Sequence, residues 1–264
     1  MKRIYYYTGI FLLVALTVFV YAGTISREYK KEVDFQSGGE ISIENTNGNI
    51  IVDTWPQNNV QVIAEIKVRS NSKREAREYL ERTEIVIRKR GDRMEIRVDK
   101  PDFKSGNFFD WIFSGGQPNA SIDFWIKVPE RSDVQARSVN GSVEASDIEG
   151  RADLETTNGK VLASNMRGAV DAETTNGSIY VDITSPILAD EMRLHTVNGS
   201  VKLELPHDID ADLHISTVNG SINTEFPVSV RGKWGPKSVD GKINSGGTPI
   251  DISTVNGSVN ILEN

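Results

Sequence analysis

The chain has no cysteine among its 264 residues. This absence excludes disulfide bonds, thiolate metal sites, a cysteine nucleophile and a lipidated cysteine, but it leaves the compartment open because exported proteins need not carry disulfides. Histidine is scarce, with three residues. His195, His207 and His214 stand at different offsets from the repeat described below, so the sequence does not place them on one face. We therefore predict no metal site and no cofactor.

The signatures of common catalytic sites are also missing. The chain contains no G-x-S-x-G, G-x-x-x-x-G-K-[ST], G-x-G-x-x-G or H-E-x-x-H motif, so it supports no particular reaction. Residues 1–130 carry 19 Lys and Arg against 18 Asp and Glu, a net charge of +1, whereas residues 131–264 carry 11 against 19, a net charge of −8. The missing motifs lead us to expect a protein that is not an enzyme. Because phosphate binding needs clustered Lys and Arg, we also expect that it does not bind nucleic acid.

The N-terminus predicts export. Lys2 and Arg3 precede an uncharged run at residues 4–22, and Val20 and Ala22 occupy the −3 and −1 positions of a cleavage site, as in a secretory signal peptide. The alternative is a retained membrane anchor, because the 19 residues of this run are just enough to span a bilayer. In both cases the chain after about residue 23 lies outside the cytoplasm.

Eight Asn-Gly or Asp-Gly pairs recur along the chain, each followed two residues later by Val or Ile. From the second pair onward the glycines are separated by 18, 18, 22, 21, 21 and 16 residues, which is typical of a repeat architecture. Asn and Gly tolerate positive φ, so we predict that each pair is a structural turn. The pairs are Asn47-Gly48, Asn140-Gly141, Asn158-Gly159, Asn176-Gly177, Asn198-Gly199, Asn219-Gly220, Asp240-Gly241 and Asn256-Gly257.

Alternation of polar and apolar residues between the pairs, as in SVKLEL at residues 200–205, indicates half-buried strands and an all-β fold. Two architectures explain the repeats. In a β-solenoid each repeat is one coil, and equal turns stack about 4.8 Å apart. In an antiparallel β-meander the Asn-Gly pairs form two-residue hairpin turns. The near-identity of the turns favours the solenoid, because a corner stacked on its own copy restricts every copy in the same way.

Four segments follow from these patterns. They are a signal peptide or membrane anchor at residues 1–22, a linker at residues 23–39, an N-terminal β-rich region at residues 40–130 and the Asn-Gly β-repeat region at residues 131–264.

The β-rich region contains a predicted short helix near residues 72–82. Ser72 and Glu75 have the spacing of a capping box, and Ala76, Tyr79 and Leu80 share one face. We expect this insert to cover one end of the repeat stack, which needs protection against edge pairing.

An aromatic segment, NFFDWIF at residues 107–113, is a candidate partner-binding loop. Serine and glycine enclose it on both sides, which is consistent with a protruding loop that offers four rings to a partner or a membrane surface. The rings are those of Phe108, Phe109, Trp111 and Phe113. In the alternative, they fold back and cap the apolar end of the stack.

Three stretches carry a resemblance to a known family: ISIENTNGNIIVDTW at residues 41–55, VQVIA at residues 60–64 and FWIKVPE at residues 124–130. Together with the Asn-Gly repeats that follow, they resemble a bacterial family of exported β-strand-repeat domains of unknown function labelled "putative adhesins". The resemblance covers the chain from about Glu40 onward. It implies an exported, repetitive all-β domain of right-handed β-helix type without an established enzymatic activity, and some relatives are associated with envelope stress signalling.

Three functions remain open at this point. The first is a non-enzymatic, exported cell-envelope protein, an adhesin or binding scaffold whose extended β-repeat surface holds an unidentified envelope component or surface ligand. In this reading residues 4–22 provide any membrane association. The second is a regulatory or sensor module in envelope stress signalling. The third is a carbohydrate-active enzyme on a β-helix, for which the sequence offers no carboxylate pair that can be placed.

Overall fold

The computed structural model describes residues 18–21, 24–99, 119–185, 190–235 and 237–264. These ranges contain 22 strands and one helix, so the prediction of an all-β fold is confirmed. The helix is α1 (Lys73–Arg82). The strands are β1 (Val18–Tyr21), β2 (Thr24–Asp34), β3 (Glu40–Glu44), β4 (Ile50–Trp55), β5 (Asn59–Arg69), β6 (Glu84–Arg90), β7 (Arg93–Asp99), β8 (Asn119–Pro129), β9 (Asp133–Asn140), β10 (Val143–Ser146), β11 (Ala152–Asn158), β12 (Val161–Met166), β13 (Val170–Asn176), β14 (Ile179–Ile183), β15 (Met192–Asn198), β16 (Val201–Leu205), β17 (Ala211–Asn219), β18 (Ile222–Thr224), β19 (Val228–Gly235), β20 (Ser238–Ile243), β21 (Thr248–Asn256) and β22 (Val259–Glu263).

The strands form two sheets of 11 strands each. Sheet A has the order β1-β2-β5-β8-β4-β10-β12-β14-β16-β22-β18. Sheet B, written from the same end, has the order β6-β7-β3-β9-β11-β13-β15-β21-β17-β20-β19. The inward side chains of both sheets make one continuous apolar core.

Each repeat consists of a strand of sheet B, a corner and a strand of sheet A, a unit called a rung below. The rung β11–β12 pairs in parallel with β9–β10 on one side and with β13–β14 on the other. Equivalent residues lie opposite each other, so that Val143, Val161 and Ile179 form one buried row. Parallel pairing contradicts an antiparallel meander for these strands. Burial of each such side chain contributes roughly 1.5–3 kcal/mol, which fixes the register.

The order of rungs in space differs from their order in the chain at both ends of the stack. The rung β3–β4 lies on β9–β10, with Asn47 opposite Asn140. At the other end, the C-terminal rung β21–β22 lies between β15–β16 and β17–β18. The antiparallel pair β19–β20 then covers β17.

The predicted linker at residues 23–39 is wrong. Strand β2 occupies most of it and pairs with β5 along its whole length, from Thr24 opposite Arg69 to Asp34 opposite Asn59. Its apolar side chains are widely spaced, because many positions of this strand carry charged residues, and the strand alternation is therefore weak in the sequence. The predicted boundary at residue 130 does not divide the stack either, since β3–β4 is one of its rungs.

The predicted helix and its position are confirmed. The N-cap Ser72 Oγ accepts a hydrogen bond from the Glu75 backbone N–H at 3.4 Å, and Ala76, Tyr79 and Leu80 are buried. The helix packs against β2 and β5, near the end of sheet A. The insert thus covers one end of the stack, as expected.

Most of the predicted signal peptide or anchor at residues 1–22 lies outside the described residues. Its last part forms β1, which pairs in antiparallel fashion with β2. In the part of the chain that the structure describes, no helix is both long enough and apolar enough to span a membrane.

Candidate binding surface

The corner asparagines form one ladder of side-chain hydrogen bonds that crosses seven rungs. Each Nδ2 donates to the Oδ1 of the asparagine on the preceding rung in space, at 2.8–2.9 Å. In spatial order the ladder is Asn47, Asn140, Asn158, Asn176, Asn198, Asn256 and Asn219. The asparagine amides therefore bond to each other, and their recurrence is explained by stacking.

The glycine after each asparagine is required by the close approach of neighbouring rungs. A Cβ atom on Gly177 would lie 1.7 Å from the carbonyl oxygen of Gly159, and five other corner glycines would make contacts of 1.8–2.1 Å with the glycine of the preceding rung. Tolerance of positive φ, the reason inferred from the sequence, explains the Asn-Gly pairs less well than this close approach does. Corner asparagines are not among the non-glycine residues with positive φ, which are Asp147, Asn165 and Asn244 in the described chain.

Threonine hydroxyl groups also hold the corners together, because each donates to the corner glycine carbonyl of the preceding rung. Thr156 Oγ1 donates to the carbonyl oxygen of Gly141 at 2.8 Å, and the pattern recurs at Thr174, Thr196, Thr254 and Thr217, all buried. A buried carbonyl without a partner would cost about 1–3 kcal/mol. The Thr, the Asn and the Gly of the Thr-x-Asn-Gly motif therefore each have a structural role at the corner.

The eighth pair is a correction to the sequence prediction. Asp240 and Gly241 lie inside β20, where they are opposite His214 and Leu213 of β17. Their predicted turn is wrong, because the antiparallel hairpin β19–β20 has replaced a further rung at this end of the stack.

The outer face of sheet B is a regular polar surface, because equivalent polar residues of neighbouring rungs lie opposite each other. Asp153 lies opposite Asp171, and Glu155 lies opposite Glu173, on the neighbouring strands β11 and β13. Like charges in such positions repel each other. Arg137 offsets part of this, with Nε 2.8 Å from a Glu155 oxygen and Nη2 3.1 Å from an Asp153 oxygen.

The neighbouring rungs continue this surface with mixed charges. Asp171 also accepts ion pairs from Arg151 and Arg193. Glu173 makes no ion pair within the described residues. Of the four carboxylates Asp153, Glu155, Asp171 and Glu173, it is therefore the one left to solvent. This array is called the acidic face below, defined by Asp153, Glu155, Asp171 and Glu173.

Two histidines lie beside the acidic face. His195 Nδ1 is 2.7 Å from Ser253 Oγ, and His214 Nδ1 is 3.2 Å from Asp240 Oδ1. Strand β21 runs between them, so the two residues share a face, which their spacing in the sequence did not reveal. His214 lines a shallow groove of about 250 Å³ together with Asp240, Asp251 and Ser253, the residue that His195 contacts.

Carboxyl groups near this groove influence each other. Burial raises the pKa of Asp251, and the hydrogen bond with Glu191 raises it further. The hydrogen bond from Arg193 lowers the pKa of Glu191. Within the described ranges no group of three or more His, Asp or Glu side chains is arranged to hold a metal ion.

The aromatic segment with Phe108, Phe109, Trp111 and Phe113 lies outside the described residues. Its flanks are placed: β7 ends at Asp99 in sheet B and β8 begins at Asn119 in sheet A. The end of β7 and the start of β8 lie on the same side of the stack as the Asn-Gly corners. A polar groove of about 590 Å³, lined by Arg97, Asp99 and Arg137 among others, adjoins the end of β7.

Comparison with known proteins identifies the fold. Residues 24–262 match the family model described as Toastrack DUF4097. The crystal structure of a "putative cell adhesion protein" from Clostridium sporogenes matches with a TM-score of 0.51 and 14% identity, over 90% of this chain and 100% of that chain. That of a "putative adhesin" from Bacteroides fragilis has a TM-score of 0.39 and 11% identity, over 90% and 97%. No curated protein matches the sequence. The resemblance to the bacterial "putative adhesin" family is thus confirmed.

Proposed function

Because the chain belongs to the Toastrack DUF4097 family, we propose that it is a non-enzymatic binding scaffold that works outside the cytoplasm, as an adhesin or as a holder of another envelope component. The observation that carries this proposal is the acidic face. Its like charges oppose each other on adjacent strands, a repulsion that Arg137, Arg151 and Arg193 offset only in part. A charged and extended surface suits a macromolecular ligand better than a small substrate.

Two further points belong to this proposal. Lys2, Arg3 and the apolar run at residues 4–22 support export, with the run either cleaved or retained as the membrane attachment. The name of the Clostridium sporogenes protein of the same fold supports adhesion as the kind of function. We also propose that the rungs follow a right-handed path, as the family resemblance implies.

Binding of purified residues 24–264 to isolated cell envelopes tests the function. The double variant Glu155→Gln/Glu173→Gln should weaken binding at least about fivefold, the change that follows from roughly 1 kcal/mol of lost interaction. Binding of the unaltered protein should also weaken with added salt, because exposed charges are screened. The matched control is Glu144→Gln on β10, in sheet A.

Equal binding by all three proteins would contradict the role of the acidic face. Release of sugars from envelope polysaccharide by the purified protein would contradict the non-enzymatic part of the proposal.

A further inference from the structure

The corners of adjacent rungs are joined by two backbone hydrogen bonds that always run in one direction. The corner glycine donates its N–H to the asparagine carbonyl of the next rung, and the Val or Ile two residues later donates to the residue that follows the next glycine. Six rungs make both donations, with N···O distances of 2.8–3.2 Å. The donors are Gly48 and Ile50, Gly141 and Val143, Gly159 and Val161, Gly177 and Ile179, Gly199 and Val201, and Gly257 and Val259.

The seventh corner, on the rung β17–β18, has the same donors, but no backbone acceptor for them lies within the described ranges. Asn219 and Ser221 accept from the rung before, so Gly220 and Ile222 direct their N–H groups away from the stack. Strand β18 is the last strand of sheet A in the described chain, and no acceptor for these two donors is present among the described residues.

Side-chain acceptors are left open at the same corner. The Asn219 amide donates to Asn256, and its own Oδ1 lacks the incoming Nδ2 that every earlier asparagine of the ladder receives. Asn223 donates to Asn260 in the same way, so its Oδ1 also faces outward. The carbonyl of Gly220 lacks the threonine hydroxyl that supports the earlier corners.

Burial shows that β18 is less covered than the equivalent strands of the earlier rungs. The Val or Ile that follows the corner is at most 1% exposed on the six earlier rungs, whereas Ile222 is only partly buried against the core. On the sheet B side the opening is closed, because β20 pairs with β17 from Ala211 to Ser216. Lys237 contacts the start of the corner, where its Nζ donates to the Val218 carbonyl oxygen. The open region is therefore the part of the corner from Asn219 onward, together with β18.

We propose that this open corner, defined by Asn219, Gly220, Ser221, Ile222 and Asn223, binds an extended segment of another protein with the pattern Thr/Ser-x-Asn-Gly-Ser-Val/Ile. The unmet groups are those that each earlier rung satisfies with this pattern, so the incoming segment continues the ladder as a parallel strand. Strand addition at an open sheet edge gains affinity from main-chain hydrogen bonds and specificity from side chains. Here the asparagine amide and the absence of a Cβ on glycine supply the specificity.

This site is separate from the acidic face, so the proposal does not depend on the proposed function. Binding at the open corner rests on backbone and amide hydrogen bonds and should change little with salt. Loss of the acidic carboxylates should leave it unchanged.

The test uses the peptide TVNGSVNILE, the sequence of residues 254–263, as a labelled probe for the full exported chain. In this probe Asn256, Gly257 and Asn260 align with Asn219, Gly220 and Asn223, as they do between β22 and β18. Fluorescence anisotropy should show saturable one-to-one binding. A peptide with Gly257→Val should bind at least about tenfold more weakly, because its side chain would meet the Gly220 carbonyl.

A protein variant provides the second measurement. Ile222→Pro removes one outward N–H. The bonds to β22 on either side of the strand ladder use Ser221 O and Glu225 N, so they do not depend on the N–H of residue 222. It should weaken peptide binding about tenfold, the effect of roughly 1.4 kcal/mol, while Ile222→Val, the matched control, keeps the affinity.

Absence of saturable binding to the unaltered protein, or equal binding of the Gly257→Val peptide, would overturn the proposal without reliance on any protein variant. Self-association of the unaltered protein in sedimentation, abolished by Ile222→Pro and accompanied by no peptide binding, would assign the open corner to a second copy and would equally overturn it.

Discussion

At the scale of single residues, the corner motif is set by the distance between rungs. Neighbouring strands lie about 4.8 Å apart, and at the corner the backbone of one glycine passes directly over the carbonyl of another. Gly177 leaves no room for a methyl group, since the nearest atom would be the Gly159 oxygen at 1.7 Å. A repeated glycine can thus reflect packing between copies instead of an unusual backbone angle.

We expect Gly177→Ala to lower the free energy of unfolding by about 3 kcal/mol or more, because a rigid backbone atom blocks the added carbon. Chemical denaturation measures the change. The control is Gly91→Asn, where a Cβ would meet no atom within 4 Å and φ is +64°, an angle that asparagine tolerates. Its cost should stay below about 1 kcal/mol. Similar stabilities of the two variants would contradict the steric account of the corner.

At the scale of elements, contacts between neighbouring strands hold the outer faces as well as the core. On sheet A, Tyr180 of β14 lies opposite Lys202 of β16, and its Oη donates to a Glu204 oxygen at 2.6 Å. Lys202 also pairs with Glu204 at 2.6 Å. This small network joins two rungs through partly buried side chains.

The hydrogen bond to Glu204, then burial, raises the pKa of Tyr180 from 10.0 to about 12. The raised value favours the protonated phenol in the folded state, so this contribution to stability is fully present below pH 10 and is lost as the pH rises through about 12. NMR titration with ¹³Cζ-labelled tyrosine measures the pKa of Tyr180, and the Tyr180→Phe variant assigns its signal. Glu204→Gln should return the pKa toward 10; an unchanged pKa in that variant would show that burial alone causes the shift.

Strand type and rung register were predictable from the sequence because they depend on local patterns. The alternation and the Asn-Gly pairs indicated the strands of the repeat region, and Ser72 marked the start of α1. By contrast, the pairing of β2 with β5 was missed, since charged residues interrupt its apolar positions. The turn assigned to Asp240-Gly241 was wrong because SVDGKI has the same local pattern as a rung, and tertiary pairing with β17 decides its conformation.

At the scale of the whole molecule, the order of rungs was beyond local reasoning. TVNGS occurs at residues 196–200, 217–221 and 254–258, so each copy offers the same ladder to its neighbours. Nothing in the motif specifies which copy stacks on which. The structure places the third copy between the first two. This arrangement also brings His195, Ser253 and His214 together, which explains why the histidines could not be placed on one face from the sequence.

The absence of cysteine makes this rung order testable by cross-linking. Asparagines of adjacent rungs lie about 4.8 Å apart, within the range of a disulfide, whereas those two rungs apart lie at about 9.6 Å and beyond it. Asn198→Cys/Asn256→Cys should therefore oxidise readily, with a mass loss of two hydrogens, and Asn198→Cys/Asn219→Cys should stay reduced. Asn176→Cys/Asn198→Cys is the positive control, because these rungs are adjacent in either order. If the rungs stacked in chain order, Asn219 would lie next to Asn198, and the first two pairs would give the reverse result. The C-terminal rung would then occupy the open corner at Gly220 and Ile222.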